Sequence, residues 1–447
     1  MFKKTEEVQS IFKTFVRYVS LNVIGMIGLS CYILADTVFI ANGVGKDGLT
    51  ALNLVLPIFS LLNAIGLMLG MGGATRYTIL RSNENENEAN RAFTQTILFT
   101  AIIAAILTII GFFFSFRISE ILGADETIKP MSGSYLRIIL MFSTAFLFNN
   151  VLICFVRNDG NPRLSMTAML VGSFSNIFLD YIFIYPLGLG MFGAAIATGL
   201  SPIISIGTLS IHFLRKKNNL KFVPTTLKLD IILRILSLGL PTFVTELSSG
   251  IIMLCFNIEI LHLAGNTGVA AYGIIANIAL TVVAMFTGIG QGIQPLLSSS
   301  YGAGKTHHVK SIYRWAASLA FIFGFIFYIF SLIYPEPIVY IFNTDNDPLL
   351  SKLAIEGMKI YFFAFLFMGI NIVTTSFFTS IDKPLQSFII SVTRGIVAII
   401  PLIFILPIFL EMTGVWVTIP LVEIITLCIS VFQILFYWKK HAVKVYS

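Results

Sequence analysis

Long apolar runs separated by short polar breaks dominate this chain. Twelve runs, at 14–41, 49–76, 92–117, 134–156, 165–185, 191–214, 231–262, 268–297, 312–334, 355–379, 385–410 and 414–438, are each long enough to cross a hydrocarbon core as a helix. They are continuously apolar and do not alternate in ten-residue segments, so the pattern predicts helices and not barrel strands. Among the basic breaks the longest is RKKNNLKFVPTTLKLD (215–230), which falls after the sixth run. The expected fold is all-α and integral to the membrane, with a first six-helix bundle at 1–214, a linker at 215–230 and a second six-helix bundle at 231–447.

An internal repeat supports that division. VGKDGLTALN (44–53) aligns with AGNTGVAAYG (264–273), and LGMGG (69–73) with IGQGI (289–293), both at an offset of 220. NPRLS (161–165) resembles KPLQS (383–387), and Pro186 and Gly193 recur as Pro407 and Gly414. Matches at nearly one spacing, with Gly on Gly and Pro on Pro, indicate a duplicated unit. Six helices per unit give both units the same orientation, related by a pseudo-two-fold axis along the membrane normal, as in transporters with parallel repeats.

Composition fixes the environment and charge fixes the orientation. The chain is 56% hydrophobic and 11% charged, against roughly 25% charged in soluble domains. With both termini in the cytoplasm, 22 of the 29 Lys and Arg fall in cytoplasmic segments and six in outer loops, with Arg394 inside the membrane. The net charge of +7 is therefore a topology signal and not a nucleic-acid footprint. The four cysteines are dispersed among the apolar runs and form no C-x-x-C pair, which gives no support to a metal or disulfide framework. The expectation is a multi-pass protein of the cell membrane.

Acids inside the runs carry the candidate chemistry. An ionised carboxylate at mid-bilayer costs at least about 2.5–3.5 kcal/mol, yet Asp36 sits in LSCYILADTVFIANGVG (29–45). Asp180 follows Asn176 by one helical turn, so the two share a face, and Ser173 extends the stripe. At about 1.5 Å per residue, Asp36, Asp180 and Thr198 each lie roughly 9–10 Å below the outer ends of their spans. Two carboxylates with amide and hydroxyl oxygens form a hard-oxygen site suited to Na⁺ or to a shared proton, since two adjacent carboxylates cannot both ionise cheaply in a low dielectric. The structural alternative is a hydrogen-bonded cluster that fixes helix packing. Glu246, midway through span seven, is the acid candidate of the second half, and Glu423 and Arg394 are opposite charges that could pair across spans twelve and eleven.

These residues, together with GIGQGIQPLLSSSYGAGK (288–305), the mid-chain basic loop and the Asn-Pro and Lys-Pro loops, resemble the multidrug and toxic compound extrusion (MATE) transporters over essentially the whole chain, with length and motifs most similar to a MepA-like bacterial branch. The resemblance implies cation-coupled drug export by alternating access between two bundles. It implies Asp36, Asn176, Asp180 and Thr198 as the residues that hold Na⁺ or H⁺, with Tyr32 one turn before the first-helix Asp. It adds Asn149 or Asn150 from the fourth helix and Gln294 from the Gln-Pro element as cleft or coupling candidates. Members with a cation site in the second bundle carry an acid in span seven and an Asp in span ten; here span seven offers Glu246 and span ten offers Asn371.

The expected substrates are lipophilic organic cations: most of the 41 Phe face lipid or pack the helices, but those at the cleft, with Met among them, form a polarizable wall, aromatic faces attract cations, and the unpaired acids add negative potential. No cofactor is expected beyond Na⁺ or H⁺ as the coupling ion, and a monomer in contact with membrane lipid is expected. YGAGKT (301–306) lacks the first Gly of a phosphate-binding loop, so ATP binding is not expected. Two other functions compete. A lipid-linked oligosaccharide flippase needs cationic side chains on the cleft to hold phosphates, and Arg394 is the one candidate. An intramembrane enzyme needs metal motifs at membrane depth, whereas DND (345–347) sits alone in an outer loop.

Overall fold

The structure, a computed structural model, describes residues 2–215, 218–343 and 347–443. Lys216 and Lys217 of the linker, Lys444 at the C-terminal end, and Asp345 and Asn346 of the DND triplet lie outside the described residues. The described chain is helical, in order α1 (Phe2–Gly43), α2 (Lys46–Ser82), α3 (Glu86–Ile121), α4 (Lys129–Met141), α5 (Ser143–Asn158), α6 (Pro162–Ile184), α7 (Gly190–Leu214), α8 (Leu229–Gly302), α9 (Thr306–Ile333), α10 (Pro335–Phe342), α11 (Pro348–Tyr361), α12 (Phe365–Ser380), α13 (Pro384–Val392) and α14 (Ile399–Val443).

Among the described residues nine helical stretches are long and apolar enough to cross a membrane, and α4 with α5 makes a tenth, bent by 48°. Two of the nine are double crossings. α8 reverses at Gly265 (φ 61°) and α14 at Glu411 (φ 49°), which gives the twelve membrane helices of the predicted two-bundle fold.

Left-handed backbone recurs at the spacing of the sequence repeat. Gly45 pairs with Gly265, Glu84 with Gly304, Gly160 with Asp382 and Gly190 with Glu411, all at positive φ. A glycine takes such a conformation without a Cβ clash. Glu411 holds the place that Gly190 holds in the first bundle, and a side chain at φ 49°, ψ −134° stores roughly 1–3 kcal/mol of strain. Glu411→Gly is therefore expected to raise the thermal midpoint in detergent; an unchanged midpoint would show that this turn carries no strain.

The bend between α4 and α5 has a side-chain cause. Phe142 wedges against Gly199 of α7, where an added Cβ would lie 2.5 Å from the Phe142 ring. Ser143 just beyond the break donates to the Ala104 carbonyl of α3 at 3.1 Å. In the second bundle the corresponding crossing is interrupted by a single 3₁₀ turn, Phe362–Ala364.

The bundles meet at one end, the end that carries the linker. There α2 crosses α8 at backbone contact: a Cβ on Gly72 would lie 2.1 Å from the Ile235 carbonyl oxygen, and one on Gly239 1.9 Å from that of Met68. Gly288 and Gly292 of α8 likewise admit Val23 and Val19 of α1. Small residues let membrane helices approach this closely. Hydrogen bonds lock the contact. The amides of Asn158 and Gln294 bond reciprocally at 2.7 and 3.1 Å, Gln294 also donates to Thr75 at 2.8 Å, and Ser82 meets Ser299 at 3.1 Å. Arg157, counted from sequence as a cytoplasmic loop charge, is instead fully buried between the bundles and donates to Asn22 and Gln291 at 2.7 and 3.0 Å.

The linker lies along the first bundle. Backbone amides of Lys221, Val223 and Lys228 donate to Asn90, Thr94 and Gln95 of α3. Its other anchor is Asp159, a buried carboxylate beyond the end of α5 that accepts from Arg81 at 2.6 Å, His212 at 2.9 Å, Tyr77 at 3.1 Å and the backbone amide of Asn219 at 2.9 Å. Burial alone would push Asp159 up, but the bonds from His212 and Asn219, with the Arg81 charge, outweigh it and hold the carboxyl below its ordinary value. A depressed value means that the anchor is fully present above the ordinary Asp range, near pH 4, and is lost only as pH falls through the depressed value. Hydrogen exchange at the Asn219 amide is thus expected to stay slow from neutrality to about pH 4. In Asp159→Asn it is expected to rise about tenfold or more at neutral pH, the equivalent of one charge-assisted hydrogen bond. Equal protection in the variant would show that the linker is held elsewhere.

Candidate functional site

Four helices of the first bundle bring polar side chains to one point. α1 supplies Tyr32 and Asp36, α4 supplies Tyr135, α6 supplies Ser173, Asn176 and Asp180, and α7 supplies Thr198. The helical period sets the α6 stripe, since 173, 176 and 180 fall on one face. The stripe is buried: Asn176 and Asp180 are 0% exposed, and Asp36 is 8% exposed.

Asn176 Nδ2 donates to Thr198 Oγ1 at 3.4 Å. The Asp36 and Asp180 carboxyl groups are neighbours, and the Tyr135 hydroxyl stands near Thr198. Tyr32 stands within electrostatic range of both carboxylates. The acceptors outnumber their donors. Asp36 Oδ1, both carboxylate oxygens of Asp180, Asn176 Oδ1 and Ser173 Oγ are buried without a hydrogen-bond partner. Native proteins rarely bury polar atoms this way, because each unsatisfied group costs about 1–3 kcal/mol and charged ones more. Four of these atoms, on Asp36, Asn176 and Asp180, form an all-oxygen set that fits a hard monovalent cation or a proton, while Ser173 lies two turns, about 10 Å, from Asp180 along α6.

The structure thus brings together Tyr32, Asp36, Asn176, Asp180 and Thr198. It adds Tyr135, which the sequence reading missed because it began span four at 134. The helix starts at Lys129, with Pro130 in its first turn, the usual place for a helix-starting proline. Tyr135 is then about 9 Å along the span at ~1.5 Å per residue, level with the acids.

The remaining candidates lie elsewhere. Asn150 donates to Asn63 of α2 at 3.2 Å, and the Asn149 side-chain oxygen Oδ1 is buried without a partner. Gln294 belongs to the contact between the bundles. Glu246 lies in the second bundle on α8, beside Thr245, which bonds Ser391 of α13 at 3.4 Å. Asn371 is buried on α12 and donates to Glu423. Asp347, the described residue of the DND triplet, caps α11 by accepting from the amides of Leu349 and Leu350.

The MatE family profile matches residues 22–182 and again 241–405, once in each half of the chain. The multidrug export protein MepA of Staphylococcus haemolyticus is 28% identical over 414 residues, covering 92% of this chain and 90% of the relative. The probable multidrug resistance protein YoeA of Bacillus subtilis is 24% identical over 419 residues, covering 91% and 90%. Among solved structures, the outward-facing conformation of a multidrug resistance MATE family transporter of the MOP superfamily superposes with a TM-score of 0.89 at 24% identity, over 97% of this chain and 96% of the other. A twice-repeated family profile over most of the chain, on a twelve-helix fold of two bundles, shows that the chain belongs to the MATE family of multidrug efflux transporters.

Proposed function

We propose that the protein is a cation-coupled antiporter that exports lipophilic, mostly cationic organic compounds by alternating access. The observation that supports this reading is the acid cluster of the first bundle, whose unpartnered buried oxygens need a cation or a proton. Na⁺ or H⁺ is the transported coupling ion, taken by Asp36 and Asp180 with Asn176 and Thr198, while Tyr32 and Tyr135 close the cluster with their hydroxyls. Loading a cation relieves the repulsion between the two carboxylates and lets the helices around them pack closely. Unloading restores their repulsion, and drug binding in the cleft is coupled to that difference.

The moving units are 1–214 and 231–447, and the end where they meet faces the cytoplasm. The positive-inside bias supports that orientation, with both termini cytoplasmic and the protein in the cell membrane. Contact at this end corresponds to an outward-facing arrangement, the state of the solved relative. The flippase reading is less favoured, because Arg394 is engaged by Glu423 at 2.6 Å and offers little free charge to a phosphate.

Everted membrane vesicles test the proposal. An inward-directed ethidium-like cation is supplied with a Na⁺ gradient or a pH gradient imposed separately. One of the two is expected to drive uptake; uptake driven by neither would refute antiport, and strong competition by a phosphate-bearing lipid would favour the flippase.

A further inference from the structure

The second bundle holds its own buried acid, and its oxygens are engaged. Glu423 of α14 is 2% exposed. Its Oε1 accepts from Arg394 Nε at 2.6 Å and its Oε2 from Asn371 Nδ2 at 2.8 Å. Asn371 also donates to the Glu423 backbone carbonyl at 2.9 Å, and Ser430 donates to Asn371 Oδ1 at 3.0 Å. Arg394 rides on a five-residue π-helical segment, Thr393–Val397. Such widened turns re-aim side chains and concentrate at functional positions. Against this segment Ser248 of α8 packs closely on Gly395.

The contrast with the first bundle is chemical. There, spans one, four, five and six supply Asp36, Tyr135, Asn176 with Asp180, and Thr198, and the carboxylate oxygens Asp36 Oδ1 and Asp180 Oδ1 and Oδ2 have no partner. Here, spans ten, eleven and twelve bring Asn371, Arg394 and Glu423 together, and neither Glu423 carboxylate oxygen is left without one. The first bundle thus holds open carboxylates and the second a closed ion pair.

We propose that Arg394 is a tethered substitute for a mobile cation: it neutralises Glu423 permanently, so the pair exchanges no ion and the transport cycle moves one ion fewer than it would with a neutral residue at 394. The proposal rests on the reading of the first-bundle cluster as the ion site. A tethered group presents itself at an effective concentration of millimolar or more and cannot diffuse away. A charge-assisted bond to a carboxylate is among the stronger protein hydrogen bonds. Breaking one side of a buried pair leaves a charge that must find another counter-ion, and Na⁺ or H⁺ would supply it.

Purified wild type, Arg394→Gln, Arg394→Gln/Glu423→Gln and Asp36→Asn are compared in proteoliposomes. Two quantities are measured: the ion-to-drug ratio, from the gradient that just halts drug flux, and binding of Na⁺ or H⁺ to the drug-free protein, by radioactive sodium or by proton uptake. R394Q is expected to bind one cation more than wild type and to show a higher ion-to-drug ratio. The double variant, which removes both charges together, is expected to keep the wild-type ratio. An R394Q protein that binds no additional cation overturns the proposal. So does a double variant whose ratio falls, which decides the matter even if R394Q does not insert. Asp36→Asn separates the two readings: if it keeps full coupling, the first-bundle site is wrong, while the extra cation of R394Q still decides the role of Arg394.

Discussion

Asp36→Asn will fold and insert but lose cation-driven drug transport. The substitution keeps the shape of the side chain and one carbonyl oxygen while removing a buried charge. Truncating one member of a buried charged contact typically costs about 2–5 kcal/mol, which at about 1.4 kcal/mol per tenfold weakens cation binding roughly 30-fold to several thousand-fold. Asp180→Asn should match it, because the two carboxyl groups act as one unit, and the double variant should be little worse than either single one. Thermal stability should be unchanged or higher, since one of two adjacent buried carboxylates is gone. Drug binding without a gradient should persist. The measurement is ethidium-like cation uptake by everted vesicles under each gradient, with the melting midpoint of the purified protein beside it. Wild-type uptake by the variant would make the cluster a structural one that only fixes helix packing.

A bulky residue at the crossing of α2 and α8 should force the bundles apart at the linker end. A Cβ on Gly239 would lie 1.9 Å from the Met68 carbonyl oxygen, a backbone atom that cannot swing aside. Overpacking costs about 1–3 kcal/mol, and here it is charged to the joined state alone, because the contact does not exist once the bundles part. Gly239→Val should therefore shift the equilibrium toward the parted state by roughly five-fold to more than a hundred-fold. Spin labels at Ser82 and Ser299, whose hydroxyls are 3.1 Å apart, would show a longer distance population in the variant. Gly324→Val is the control. Its Cβ would meet the Phe365 carbonyl oxygen at 2.1 Å inside the second bundle, so it should lower the melting temperature and leave the distance unchanged. An unaltered distance distribution in Gly239→Val would show that this crossing does not hold the bundles together.

Most of the architecture was legible because a bilayer imposes a length rule on apolar runs, and the acid cluster because helical rise converts sequence position into depth. Asp36, Asp180 and Thr198 lie on different helices, yet each could be counted inward from the polar break that ends its span. The same arithmetic missed Tyr135 when the start of its span was misplaced, although Pro130 marked the boundary. The wedge of Phe142 against Gly199 was illegible, since it depends on which helices become neighbours. Arg157 was misread for a related reason: counting charges treats a basic residue near a span end as solvated, whereas this one is enclosed once the bundles meet. The Glu423–Arg394 pair could be named in advance as opposite charges on adjacent spans, but its completion by Asn371 and Ser430 could not.

The strapped linker has a mechanical consequence. Its backbone is fastened to the first bundle as far as Lys228, which donates to Gln95 at 3.0 Å, and α8 begins at the next residue. The chain between the bundles thus has almost no slack. In the proposed alternating-access cycle the second bundle would swing on this covalent junction as a door swings on a hinge screwed to its frame, and lengthening the exposed part of the linker upstream would leave the swing unchanged.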